Sequence, residues 1–555
     1  MLAAAVILTA CGSLIPTQVA PTVFGQGDDT HGRNAAPNYA RVFAQSRVNR
    51  LDLRIEPADW QALLADMQSL AGAPGQVGGG PGGGGGQPPG GGGNPVFGPE
   101  ALAACLGLIE GNACSFGTPP VAGRCTQTPN GGALACFATP VGGNPGGSPG
   151  GGAGGAGGGA PGGAGQRDDV ELFPRTPIYI PADVTFDGET FRHVGFRLKG
   201  NSSLANTWRS GSEKLPFRLN IDGREDRFPE TRDQTFFGFV NLSFSNNALD
   251  SSYLRAKVVT DLFRDAGLPA ATTAFMRVFL DRGTGPVYLG LYTMSEVPDG
   301  PMLESAFGSA DGNLYKPNGT GGRWTTFIRE SFPKRTNTAD EDWTDIEDAI
   351  AALNASKADR AVWRRRMEAR LDVSGFLRWL ALNTIISNFD AYGGLSAHNY
   401  YLYGSPRHRN RLFWIPWDHD LAMPTGGGGL GGVGGGGVGG GVGGTAVLDL
   451  FHQGIAANWP LIRFFMDDPV YRAAYRVHVE ELLVTVFEPT RVSARLRSEQ
   501  ARIASYVFGA EGEQQGRTFA GTPAQFDATV FGPTGLIAYV ESRAAAVRRA
   551  LVATP

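Results

Sequence analysis

The chain has 555 residues, 42% of them hydrophobic and 18% charged, which is too apolar for a wholly disordered polypeptide and long enough for more than one core. Forty-eight Lys and Arg against 52 Asp and Glu give a net charge of −4, so no basic field points to nucleic acid. Of 82 glycines, 44 fall in 72–95, 142–165 and 426–444 without a G-X-Y period, which excludes collagen, and past the N-terminus no run of 18 apolar residues occurs.

In chain order, the apolar stretch 2–10 is too short to span a bilayer and fits the core of a secretory signal, although no Lys or Arg precedes it. Residues 12–44 are polar and Pro/Ala-rich and read as a tether. In 48–55, Leu51, Leu53 and Ile55 alternate with polar residues, the pattern of a half-buried strand. A helix is predicted over 56–70, with Trp60, Leu63, Leu64, Met67 and Leu70 on one side. Residues 45–71 thus begin a lobe that 72–168 interrupts. That block is glycine tract, cysteine module, glycine tract, an insertion in a surface loop with too few side chains to offset backbone entropy.

Strand signals resume at 178–180, 184–186, 191–198, 216–221 and 236–244, with Asp187-Gly188 and Asp222-Gly223 as turns. A helix over 251–266 stops at Gly267 with Pro269 beyond, and 274–280 and 287–294 read as strands. Helices then dominate: 342–355, 358–370, 373–387, 459–486, 490–507 and 534–552, broken by the glycine-rich loop 426–444. The pattern is α+β: a strand-rich lobe over 169–300 joined to the 45–71 start, and a helical lobe over 301–555, with a cleft between them.

Leu8-Thr9-Ala10-Cys11 resembles the lipobox of bacterial lipoproteins. The resemblance implies a signal over 1–11, cut before Cys11, which then carries lipid. The protein would be exported and anchored to the membrane on the periplasmic or surface face of the cell envelope. The other four cysteines, Cys105, Cys114, Cys125 and Cys136, lack any CxxC pair, which disfavours zinc; in an exported chain they read as two disulfides with three possible connectivities.

Two clusters could carry chemistry. Ser387-Asn388-Phe389-Asp390 closes an apolar helix and leads to His398-Asn399-Tyr400. The apolar strand 412–417 delivers Asp418 and Asp420, two carboxylates at i, i+2 that point the same way and, with the Asn399 amide, suit a hard cation such as Mg²⁺. Asp390 could accept a proton from a nucleophile. Asp, Asn, Asp in that order fits phosphoryl transfer: base, metal ligand, metal ligand. Solvated loop aspartates beside a structural Trp cluster would give the same spacing. Lys199, in a Gly/Ser-rich turn, Lys214, Arg218 and Arg255 supply cationic side chains, and Glu296 could lie at the rim or at a hinge.

The string 197–203 (RLKGNSS) resembles the RxKGxSS signature of the spore-coat protein H (CotH) kinase family. Further matching stretches follow in order: 214–222, 241–257, 287–296, 312–316, 388–403 and 417–420 (WDHD). They cover about 180–425. The resemblance implies an atypical protein-kinase-like fold of two lobes, using ATP and Mg²⁺ to phosphorylate serines of coat proteins. It implies Asp390 as the catalytic-loop aspartate, and Asn399, Asp418 and Asp420 as metal ligands. Lys199, Lys214 and Arg218 become candidates for the phosphates, and Met294 and Glu296 for the nucleotide hinge. The partner would be an envelope or surface protein with Ser/Thr acceptors. The glycine-rich 426–444 stands where a kinase has its activation segment, and a lipobox places the chain where ATP is scarce. A catalytically silent surface protein on the same scaffold is the rival expectation. Hydrolysis of a phosphate ester by two metals is weaker, for want of His ligands.

Overall fold

A computed structural model describes residues 28–75, 113–116, 121–127, 134–138, 172–394, 397–425 and 449–554. Cys11, Cys105 and most of the three glycine tracts lie outside the described residues, as do the side chains of Cys114, Cys125 and Cys136. The lipid and disulfide expectations therefore fall outside them too. Within the insertion, β2 (Ala113–Phe116), β3 (Val121–Gln127) and β4 (Leu134–Ala138) form an antiparallel sheet in which Cys125 stands opposite Cys136.

The strand-rich half is a closed barrel. Its members are β1 (Asn49–Arg54), β5 (Ile180–Phe186), β6 (Glu189–Leu198), β7 (Phe217–Asn220), β8 (Asn241–Ser245), β9 (Thr273–Asp281) and β10 (Pro286–Glu296). They run in the order β1-β5-β6-β7-β8-β10-β9, and β1 closes the ring by pairing in parallel with β9, Leu51 opposite Val278. Alternation decides what fills it: Leu51 and Leu53 are buried while Arg50 and Arg54 face water. Phe217 stacks on Phe244 at 4.4 Å and on Phe196 at 5.0 Å, a ladder across three strands. Helix α1 (Pro57–Ala71) starts on Pro57, which needs no backbone donor, and buries Trp60, Leu63, Met67 and Leu70 in the barrel's core cluster.

Several elements differ from expectation. Residues 28–43, read as tether, form two short helical turns seated on the barrel: Val42 and Phe43 are buried, and the His31 ring stacks on Phe191 at 4.1 Å. The Gly/Ser turn after Lys199 opens a helix, α2 (Ser202–Ser210), preceded by Gly200 at φ +102° with no room for a Cβ beside Ser203 Oγ. The helix predicted from 251 begins later, α3 (Arg255–Asp265), because Asp250 and Ser252 hold the preceding residues in a turn and Tyr253 sits at φ +62°.

The second half contains α4 (Gly300–Phe307), α5 (Thr344–Asn354), α6 (Arg360–Arg370) and α7 (Val373–Ile385). After α7 come the strands β12 (Tyr400–Ser405) and β13 (Arg411–Pro416), which with β11 (Asn313–Tyr315) make a three-stranded sheet. Then follow α8 (Pro460–Asp467), α9 (Pro469–Thr485), α10 (Pro489–Val507), α11 (Pro523–Phe531) and α12 (Leu536–Ala553). The single helix expected over 459–486 is two: Asp468 stays extended, caps Val470 and Tyr471 with its carboxylate, and Pro469 begins the next helix. An aromatic cluster unites sheet and helices, with Tyr400 stacked on Trp414 at 3.9 Å and Trp379 at 4.6 Å from Trp414. No helix among the described residues is long and apolar enough to cross a membrane.

Candidate active site

The β12–β13 hairpin explains how residues 19 apart in sequence meet. Tyr400 pairs with Pro416, so Asn399 and Trp417 leave the same end of the ladder, and the Trp417 N–H donates to the Asn399 carbonyl at 3.1 Å. Asp418 follows at once, exposed, at φ +58°, and Asn399 sits at φ +60°. The left-handed region is uncommon outside glycine, and Asn and Asp tolerate it best. Both side chains are thereby turned out of the strand direction.

Asp390 approaches from α7. That helix ends at Ile385, Ser387 turns the chain at φ +50°, and the Asn388 N–H returns to the Asn383 carbonyl at 3.1 Å. Both Asp390 carboxylate oxygens are engaged: His398 Nε2 lies 3.0 Å from Oδ1, and Asn399 Nδ2 donates to Oδ2 at 3.1 Å and to the Asp390 carbonyl at 2.7 Å. The Asn399 amide nitrogen is thus committed to Asp390, which leaves Oδ1 as the atom able to meet a cation.

Electrostatics joins these loops to the barrel. Burial, then the charges of Asp418 and Asp390, hold the Asp420 carboxyl well above the usual carboxylate range, and Lys199 opposes them. Lys199 is in turn lowered by burial, supported by Asp418 and Asp420, and repelled by Lys316 and Arg197. Asp420 thus feels Asp418 and Asp390 on one side and Lys199 on the other, with Lys316 and Arg197 adding positive charge beside Lys199. Among the described residues no three His, Cys, Asp or Glu converge as a ready-made metal cage. Two carboxylates and an amide oxygen, completed by phosphate oxygens and water, is the donor set that suits Mg²⁺, so the residues fit that ion. Behind them His419 packs on Phe263 at 4.8 Å, and burial lowers its pKa to about 4.

Four sequence-derived assignments change. Lys214 does not face the cluster: its ammonium is fully buried, 2.6 Å from Glu513 Oε1. Arg218 donates to Asn241 Oδ1 at 2.9 Å, and Asn241 passes the contact on to Asp299 at 3.2 Å, beyond the end of β10. The Met294 side chain packs inside the barrel beside Phe244, following strand parity. Glu296 is buried and accepts from the Tyr39 hydroxyl and from the Thr272 N–H, so its carboxylate is committed to anchoring the N-terminal segment. Two neighbours of the site went unassigned by the sequence. Lys316 ends the 312–316 stretch, and His398 adjoins Asn399; adjacency to the motifs was the available signal. Arg255 is tied to Asp250 through its backbone N–H at 2.7 Å and to Thr425 through Nη2 at 3.0 Å, at the near end of the glycine loop.

With this geometry in place, comparison with known proteins is decisive at one point. The model of the family described as CotH kinase protein matches residues 196–547, more than half of the chain. The chain belongs to the CotH kinase family. The inner spore coat protein H of Bacillus subtilis (strain 168) is 24% identical over 289 residues, spanning 49% of this chain and 70% of that protein. The crystal structure of the Helicobacter pylori proinflammatory kinase CtkA aligns with 60% of this chain and 95% of its own at 9% identity; its TM-score is 0.22, too low to argue from. A kinase-like protein of α+β architecture is thereby established. The barrel strands β1 and β5 lie before the matched span, so the CotH family region is completed by chain that precedes it.

Proposed function

We propose that this CotH family member is a two-lobed, atypical protein kinase that moves the γ-phosphoryl group of ATP to a Ser or Thr hydroxyl of an envelope or surface protein. The observation that carries this reading is the hairpin end that joins Asn399 both to Asp390, 3.1 Å from its amide, and to the chain just before Asp418, with Asp420 under the charges of Asp390, Asp418 and Lys199. Lys199 would steady the phosphates. Asp418, Asp420 and the Asn399 amide oxygen would hold Mg²⁺, which when bound supplies charge neutralisation. Asp390, held by His398 and Asn399, would accept the hydroxyl proton as the acceptor oxygen bonds to the γ-phosphorus and ADP leaves. Export and lipid on Cys11 are part of the proposal and rest on Leu8-Thr9-Ala10-Cys11 alone.

The test is calorimetric ATP binding with and without Mg²⁺, together with phosphate transfer to a Ser-rich peptide or to the chain itself. Mg²⁺-dependent binding and transfer are expected. Absence of any nucleotide binding would leave the scaffold as a silent surface protein. Mass spectrometry of the native N-terminus checks the anchor: lipid on Cys11 is expected, and an unmodified Cys11 on protein from its own host would refute it.

A further inference from the structure

Arg543 is a buried charge without a carboxylate. It lies on α12, is 3% exposed, and among the described residues forms no ion pair. Its guanidinium instead grips the end of α7: Nε donates to the Ile385 carbonyl at 2.9 Å and Nη2 to the Thr384 carbonyl at 2.7 Å, while Nη1 has no partner. A cation suits a helix C-terminus, where carbonyls lack intrahelical donors. Burying an unpaired guanidinium is still costly, and a methionine of similar reach would fill the space without a charge. What arginine adds is two directed bonds at one place in the chain.

That place is the junction of the two aspartate loops. The first loop runs from Ile385 through Ser387 to Asp390. The second is tied to the same helix end, since the Met423 N–H, three residues beyond Asp420, donates to the Ile386 carbonyl at 2.9 Å. The other side of α7's last turn faces His452, whose Nε2 is 2.9 Å from Thr384 Oγ1. A shift of this turn would move Asp390 and Asp420 together, and ångström-scale misplacement of reacting groups costs orders of magnitude in rate.

We propose that Arg543 is a positioning residue for phosphoryl transfer: by holding the Thr384 and Ile385 carbonyls it fixes the point from which the Asp390 and Asp420 loops depart. The inference rests on the roles given to those aspartates above. The experiment compares the full chain with Arg543→Met and Arg543→Lys. Amide hydrogen exchange is followed in 386–390 and 418–423, with 241–245 in the barrel as reference, alongside Mg²⁺-ATP affinity and kcat. In Arg543→Met, exchange in 386–390 should rise at least tenfold with the barrel unchanged. Nucleotide affinity should stay within about threefold, and kcat should fall tenfold or more. Arg543→Lys, able to reach one carbonyl, should lie between, and it carries the test if the methionine variant does not fold. Wild-type exchange in both aspartate loops of a folded variant would overturn the proposal and leave Arg543 a packing residue. If the wild type itself transfers no phosphate, the kinase reading fails separately, and the exchange measurement alone decides the role of Arg543.

Discussion

Lys214 and Glu513 form an ion pair with Nζ 2.6 Å from Oε1 and neither side chain reaching water. They join the two halves of the molecule across 299 residues of sequence. Glu513 also accepts from the Leu291 N–H and the Tyr253 hydroxyl, both at 2.7 Å, and the Tyr253 ring lies 4.3 Å from the ammonium. A bulge in β10 makes the room: at Gly290, φ +137°, a Cβ would stand 2.6 Å from Glu513 Oε1.

Breaking that pair should cost stability rather than nucleotide affinity. Lys214→Met strands a buried carboxylate and should destabilise the chain by about 3–5 kcal/mol, while Lys214→Met with Glu513→Leu should recover much of the loss. Denaturant unfolding measures both. A Lys214→Met protein that keeps its stability but loses ATP would return this lysine to the phosphates.

Asp390 and Asp418 should fail differently. Asp390→Asn keeps shape and polarity but not the proton acceptor, so Mg²⁺-ATP should still bind and transfer should fall by roughly 10²–10⁴-fold. Asp418→Asn removes charge from the cation site, and Mg²⁺-dependent binding should itself weaken. Calorimetry and phosphate transfer on the two variants separate the roles; identical behaviour would show that they are not base and ligand.

Lys199 is the cation that acts on Asp420, and Lys316 repels Lys199. Lys199→Met should reduce ATP affinity by roughly 10–100-fold, the scale of a lost charge-assisted hydrogen bond, and Lys316→Met by less. The order of the two effects, read by calorimetry, is the check.

Asp299 makes stability depend on pH. Burial pushes its carboxyl up to about 7, against the Asn241 hydrogen bond. Between about pH 4 and 7 the native chain keeps a proton that the unfolded chain has released, so this contribution is full at low pH and is lost as pH rises through 7. Asp299→Asn should flatten that slope by roughly 2–4 kcal/mol. Chemical denaturation at pH 5 and pH 8 measures it, and equal slopes would contradict the assignment.

The four residues Asp390, Asn399, Asp418 and Asp420 were legible as two clusters, one after an apolar helix that stops and one after an apolar strand, and the pairing of Tyr400 with Pro416 that brings the clusters together is seen only in the fold. Lys199 was legible as one of several cations, but its rank over Lys214 was not. A lysine's fate depends on what lies across the fold, and Glu513 comes from a loop after α10 that nothing near Lys214 announces. Met294 was placed at the hinge by the resemblance alone, and its packing beside Phe244 depends on the pairing of β10 with β8, which nothing near it in sequence announces. Residues 28–43 were misread because their packing depends on Phe191 and Phe239, far along the chain. Arg543 had no local pattern to mark it.

The closure of the barrel by β1 and β9 has a consequence for how the chain folds. Leu51 must find Val278, and its other neighbour β5 begins only at Ile180. Contacts this distant in sequence make for slow folding, since the intervening chain must be confined before the pairing returns any energy. During synthesis the strand at 49–54 waits with its hydrogen-bonding edge open until residue 281 has emerged, a stage at which such edges are prone to wrong partners. Covering that edge, with a chaperone in the cell or at low protein concentration in refolding, is therefore what should most raise the yield of native protein.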